Sequence, residues 1–231
     1  MSTPDRQLRR VALWGGLAYL ATFVFSIPAV ALLVPATDHV RTFMTGGDSD
    51  DMRVIAGGVS EMLNAFACVA TALVLHPVTS RVSRTLALGF VASRLLEAAI
   101  IMVGVVSILT VVTLRQDLGG AAAPAGVIAT AHALVAVRSW TFLFGPGVMP
   151  AFNALFLGTI LYRSGLVPRV LPLIGLVGAP LLVLKSLIVA FGAMGDASAG
   201  AALMALPIAA WELGLALWLT FRGFRAAALG H

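Results

Sequence analysis

Six separate stretches of about 20 predominantly apolar residues run through this chain, each long enough to cross about 30 Å of hydrocarbon. They lie at 13–34, 54–75, 86–114, 141–161, 170–191 and 201–221. Composition agrees with this pattern. The 231 residues are 60% hydrophobic and only 11% charged, whereas a soluble domain is roughly half apolar and a quarter charged. A water-soluble fold of this length cannot hide so much apolar surface, and a disordered chain would be polar and charge-rich. The sequence therefore predicts an all-α polytopic membrane protein, one domain over 1–231, built as a bundle of six transmembrane helices.

The first ten residues lack the layout of a cleaved signal, and the apolar run after them is too long for a signal core, so a retained first span is expected. Pro28 predicts a kink within it. The third stretch exceeds what a span needs and should tilt or project. The fourth is ambiguous, because 127–162 is apolar throughout and would measure about 54 Å as one helix. Gly145-Pro146-Gly147 and Pro150 mark a break. The reading adopted is a span over 141–161 preceded by a helical segment over 127–140 at the outer surface. A re-entrant pair of half-helices is the alternative.

The connections are short except the first, where a surface helix over 37–45 and a turn at Gly46-Gly47 are expected. Asp48-Ser49-Asp50-Asp51 then suits the N-cap and first turn of the second span. A calcium loop is a poor match, since the ligand ladder and its glycine are missing. Arginine bias orients the bundle. With the N-terminus inside, the inner segments carry nine Arg and the outer ones only Arg41, Arg53 and Arg115. Both termini are expected in the cytoplasm. The formal net charge of +5 is thus a topology signal. No basic stripe interleaved with aromatics is present, and no nucleic-acid partner is expected.

Six charges remain within or against the apolar stretches: Glu61, Arg94, Glu97, Arg138, Lys185 and Glu212. Charges at such depth are costly and should face the bundle interior in pairs. Arg94 and Glu97 share a helix face at i, i+3. Matching depths suggest Glu61 with Lys185, and Glu212 with Arg94 and Glu97; Arg138 reaches Glu212 only if the fourth span is continuous. These residues either line a polar pocket or fix helix packing. Three acids against three bases let every charge be neutralised internally, which favours packing.

Other chemistry finds little support. Cys68 is the single cysteine, which rules out an intramolecular disulfide or a cysteine metal cage. The histidines, His39, His76, His132 and His231, form no i, i+4 pair or H-E-x-x-H motif, so no metal site is expected. Ser93, Ser107, Ser186 and Ser198 read as packing or cap residues and not as intramembrane nucleophiles. Gly57-Gly58 and Gly119-Gly120 lack the Lys-Ser/Thr of a phosphate loop. No catalytic residue and no cofactor are expected. Small-xxx-small spacing at Gly175 to Ala179 and Ala210 to Gly214 favours close helix packing and leaves a homo-oligomer open. Trp140 and Tyr162 would bracket the fourth span as interface anchors; Trp14, Trp211, Trp218 and Tyr19 read as interfacial or packing residues.

Four motifs together point to a family. They are Gly16-Leu17-Ala18-Tyr19-Leu20, Ser93-Arg94-Leu95-Leu96-Glu97-Ala98-Ala99-Ile100, Tyr162-Arg163-Ser164-Gly165-Leu166-Val167-Pro168-Arg169 and Glu212-Leu213-Gly214-Leu215-Ala216-Leu217-Trp218-Leu219. In this order, over nearly the whole chain, the sequence resembles the bacterial six-helix membrane proteins grouped as domain of unknown function 4386. The resemblance implies six helices, no established activity, and weight on Arg94, Glu97 and Glu212. Fourteen of the 15 basic side chains are Arg, and Ala and Gly abound, as in a GC-rich genome. The expectation is an uncharacterised multi-pass protein of a bacterial plasma membrane, with the lipid bilayer as its partner. Its leading reading is a non-enzymatic bundle or accessory component. The alternative is a small-molecule or ion/proton-coupled transporter with a pocket around Arg94, Glu97 and Glu212. An intramembrane enzyme ranks third.

Overall fold

The fold, seen in a computed structural model that describes residues 3–46, 50–118 and 121–225, consists of eight helices. They are α1 (Thr3–Thr37), α2 (Val40–Thr45), α3 (Asp51–Val82), α4 (Arg84–Asp117), α5 (Ala125–Phe144), α6 (Met149–Ser164), α7 (Val170–Ala190) and α8 (Ala199–Phe221). Gly47, Asp48, Ser49, Gly119, Gly120 and His231, to which expectations were attached, lie outside the described residues. The six candidate spans are α1, α3, α4, α5–α6 taken together, α7 and α8. Helices α1, α3 and α4, at 35, 32 and 34 residues, overrun their apolar stretches by one or more turns. Pro28 and Pro35 are accommodated within α1, and Pro77 within α3.

The spans form a closed antiparallel ring in which each packs on its chain neighbours, and α8 returns to α1. Close approach at the closing seam depends on Gly16. A Cβ there would stand 2.7 Å from Thr220 N and 2.8 Å from Ala216 O. Arg9 seals the same end by donating to Leu219 O at 3.0 Å and Thr220 O at 2.8 Å, partners that the last turn of any helix leaves without intrahelical donors. The first turns of α1 and the last turn of α8 therefore lie at one end of the bundle.

The fourth member is a broken path. Helices α5 and α6 lie end to end along α4. Thr141 and Arg138 abut Gly104, and Phe156 abuts Gly89, so the path is antiparallel to α4 throughout. The segment at 127–140 belongs to α5, whose Leu134 O accepts from Ser107 Oγ of α4 at 2.8 Å. Between the two helices, Gly147 N reaches back to Phe142 O, and a Cβ at Gly147 would strike Leu143 O at 2.2 Å. Gly147 O accepts from buried Ser186 Oγ of α7 at 2.7 Å, which satisfies a backbone group freed by the break, as a break at membrane depth requires.

Packing differs between the two halves. Toward the chain ends one large cluster spans α1, α3, α4, α6, α7 and α8, with Tyr19, Phe90, Leu161 and Trp211 almost fully buried. Gly175 admits Trp211, since a Cβ there would meet the indole at 2.7 Å. Toward the other end a second cluster joins α1, α2, α3, α4 and α5. Here α5 barely touches α7, and a crevice of about 630 Å³ separates α1 from α5 and the end of α7.

Candidate functional site

Two buried ion-paired centres are stacked along the bundle. The first is built on Arg94, which leaves α4 about 15 Å from its start and is 2% exposed. Its Nη1 donates to Glu97 Oε2, one turn on, at 3.0 Å, and its Nη2 donates to Glu212 Oε1 of α8 at 2.8 Å. Asn153 Nδ2 of α6 adds a second donor to Glu97 Oε2 at 2.7 Å, and its Oδ1 accepts from Ser93 Oγ at 2.5 Å. The guanidinium carbon lies 4.9 Å from the centroid of the Tyr19 ring of α1 and 5.8 Å from that of Phe90. Cys68 Sγ of α3 stands 3.7 Å from Arg94 Nη1. Four of the six spans thus meet at one guanidinium, and α6 joins them through Glu97.

The second centre is the ion pair of Arg138 on α5 with Glu61 on α3, where Arg138 Nη2 donates to Glu61 Oε1. Both residues are over nine-tenths buried, yet together with Asn64 they line a cavity of about 180 Å³. Its remaining wall includes Ser26, Val30, Ile101, Thr141 and Phe142. Among the described residues, no hydrogen bond other than this one reaches the Arg138 or Glu61 side chain. The Nε of Arg138 is buried without a partner. Arg138, Val30 and Phe142 also border the larger crevice, so the two spaces share a wall between α1 and α5.

The two centres are joined along α3. Glu61, Asn64, Cys68 and Thr71 recur at helical spacing on its buried face, about 10 Å from Glu61 to Cys68. Cys68 Sγ points to Asn64 Oδ1 at 4.0 Å and to Arg94 on the other side, so a polar line crosses an otherwise apolar interior.

Of the residues singled out in the sequence, Arg94, Glu97 and Glu212 come together. Glu61 and Lys185 do not. Helix α7 is not a neighbour of α3 in the ring, so equal depth does not bring those two side chains into contact. Glu61 takes Arg138 instead, and Lys185 pairs with Asp196 in the connection after α7. Arg138 does not serve Glu212. Asp51 does not act through helix capping alone: it accepts from Arg115 Nη1 at 2.6 Å and Gln116 Nε2 at 3.3 Å, tying α3 to α4. Three of the serines are interhelical links, Ser93 to Asn153, Ser107 to Leu134 and Ser186 to Gly147, while Ser198 caps α8 by accepting from Ala201 N. Sequence reasoning missed Asn64 and Asn153. They are the chain's two asparagines, both inside apolar stretches, and an amide at that depth needs partners as a charge does. Among the described residues, no three of His, Cys, Asp and Glu converge as metal ligands would.

An all-helical ring with six helices long and apolar enough to span a membrane, enclosing ion pairs at depth, defines a multi-pass helical membrane protein. The chain belongs to the family described as Domain of unknown function (DUF4386), whose model matches residues 14–223. No curated protein and no solved structure matches the chain.

Proposed function

We propose that this chain is a non-enzymatic carrier of a small polar solute, working in a bacterial plasma membrane with both termini in the cytoplasm and no cofactor. The observation that carries the reading is the cavity at Glu61, Asn64 and Arg138. The pair is formally neutral but under-bonded, so a ligand that both donates and accepts fits better than a bare ion. A small zwitterion or neutral polar solute would place its acceptor on Arg138 and its donor on Glu61, in surroundings where hydrogen bonds are stronger than in water. The crevice between α1 and α5 supplies an approach, and the break at Gly145–Val148 supplies a place where α5 can move relative to α6.

The second reading, a bundle stabilised by buried ion pairs, is favoured by the Arg94 centre, whose charges are bonded to one another and to Asn153. The two are separable by counterflow in proteoliposomes with a panel of small zwitterions and neutral polar solutes. The carrier reading expects counterflow of at least one class, lost when Glu61 and Arg138 are replaced together by Leu and Met in a protein that still folds. Counterflow by none of them, from a folded protein, returns the chain to the structural reading.

A further inference from the structure

The Arg94 centre has more acid than base. Glu97 and Glu212 share one guanidinium, which leaves one excess negative charge when both carboxyls are ionised. Among the described residues no other cation is bonded to either carboxyl. Arg138 is held by Glu61, Lys185 by Asp196, and Arg9 by the carbonyls that end α8. An uncompensated carboxylate in a low-dielectric interior costs far more than its neutralisation.

We propose that Glu212 carries a proton in the resting protein, making the Arg94 centre a proton-binding site. The hydrogen bonds select the carboxyl. Glu97 Oε2 accepts from two donors, Arg94 and the Asn153 amide, an arrangement that suits an acceptor-only oxygen. The Ser93 hydroxyl bonded to Asn153 Oδ1 keeps that amide turned with its NH₂ toward Glu97. Glu212 receives one donor, at Oε1, and Oε2 is left to carry the proton. The Glu212 side chain is 14% exposed against 4% for Glu97, so it is also the less enclosed of the two.

The groups facing Glu212 are Arg94 and Glu97 on α4, Tyr19 on α1 and Cys68 on α3. Asn153 on α6 is neutral, and the single titratable residue of α7, Lys185, is engaged by Asp196. A metal cation is the poorer occupant, because the guanidinium already fills the face the two carboxyls share. The inference does not rest on the solute reading, since it concerns a different centre.

Infrared difference spectroscopy of the full chain in lipid nanodiscs, with glutamate side chains carboxyl-labelled with carbon-13, tests it at neutral pH. The wild-type minus Glu212→Gln spectrum should contain one protonated-acid carbonyl band, shifted by D₂O and by the label, and no carboxylate bands. Glu97→Gln leaves one acid for one guanidinium, so the Glu212 acid band should vanish there as Glu212 ionises. Carboxylate bands in the first difference overturn the proposal, as does an undiminished acid band in folded Glu97→Gln. If Glu212→Gln fails to fold, the Glu97→Gln arm decides. Replacing choline by sodium at constant ionic strength should leave the acid band unchanged; its loss would assign the site to sodium.

Discussion

Arg138 and Glu61 bridge two helices, α5 and α3, that share hardly any backbone contact. The ridges that lock the other helices of the ring are missing between them, and the cavity and the crevice occupy the space instead. The ion pair is thus a strut across the loosely packed half of the bundle.

Removing one end of that strut leaves a buried charge alone. Glu61→Leu and Arg138→Met should each destabilise the protein by about 3–5 kcal/mol, while the double variant recovers most of the loss. Thermal unfolding of the four proteins in detergent measures the cycle. Additive single and double losses would show that the two side chains do not act on each other.

The seam between α1 and α8 should be sensitive to one methyl group. Gly16→Ala places a Cβ against backbone atoms of Ala216 and Thr220, which cannot swing aside as a side chain can. Overpacking of this kind costs about 1–3 kcal/mol. Gly126→Ala, where nothing lies within 4 Å, is the control and should cost nothing, because Ala suits a helix better than Gly. Equal melting temperatures for the two variants would contradict the seam.

Arg9 should matter beyond its charge. It forks onto the three carbonyls of Leu219, Thr220 and Phe221 at the end of α8, a partly exposed contact for which about 1 kcal/mol is expected on replacement by Ala. Lysine keeps the charge but not the fork, so Arg9→Lys should recover only part of the loss, read as chemical-denaturation midpoints. Full recovery would reduce the contact to simple electrostatics.

An even number of spans fixes the relation between the ends and the first long connection. Reporter fusions at Asp50 and after the last residue should read opposite sides of the membrane, with the C-terminal one cytoplasmic. Same-side readings would refute six crossings, and an inverted pair would refute the orientation taken from the arginines.

Much of the fold was legible because lipid imposes length. Six apolar stretches had to be six helical paths, and the Gly145-Pro146-Gly147 break was visible because Pro146 and Pro150 have no N–H to give. Arg94 and Glu97 were legible as a pair because i, i+3 spacing needs no knowledge of neighbours. Glu61 was not. Its partner depends on which helix stands beside α3, and depth alone says nothing about order around a ring. The role of Asn153 was equally out of reach, since it comes from the register between α6 and α4, which Gly89 sets by admitting Phe156.

The junction of Arg9 with the end of α8 carries a further consequence for the molecule. Because the last turn of α8 is tied beside the first turns of α1, the six members follow one another as beads on a bracelet whose clasp is non-covalent. The order of helices around the ring is then a property of the circle and not of where the chain starts. A covalent link at the clasp would free the chain to be opened elsewhere, for instance in the turn at Gly192–Gly195, with every helix keeping its two neighbours.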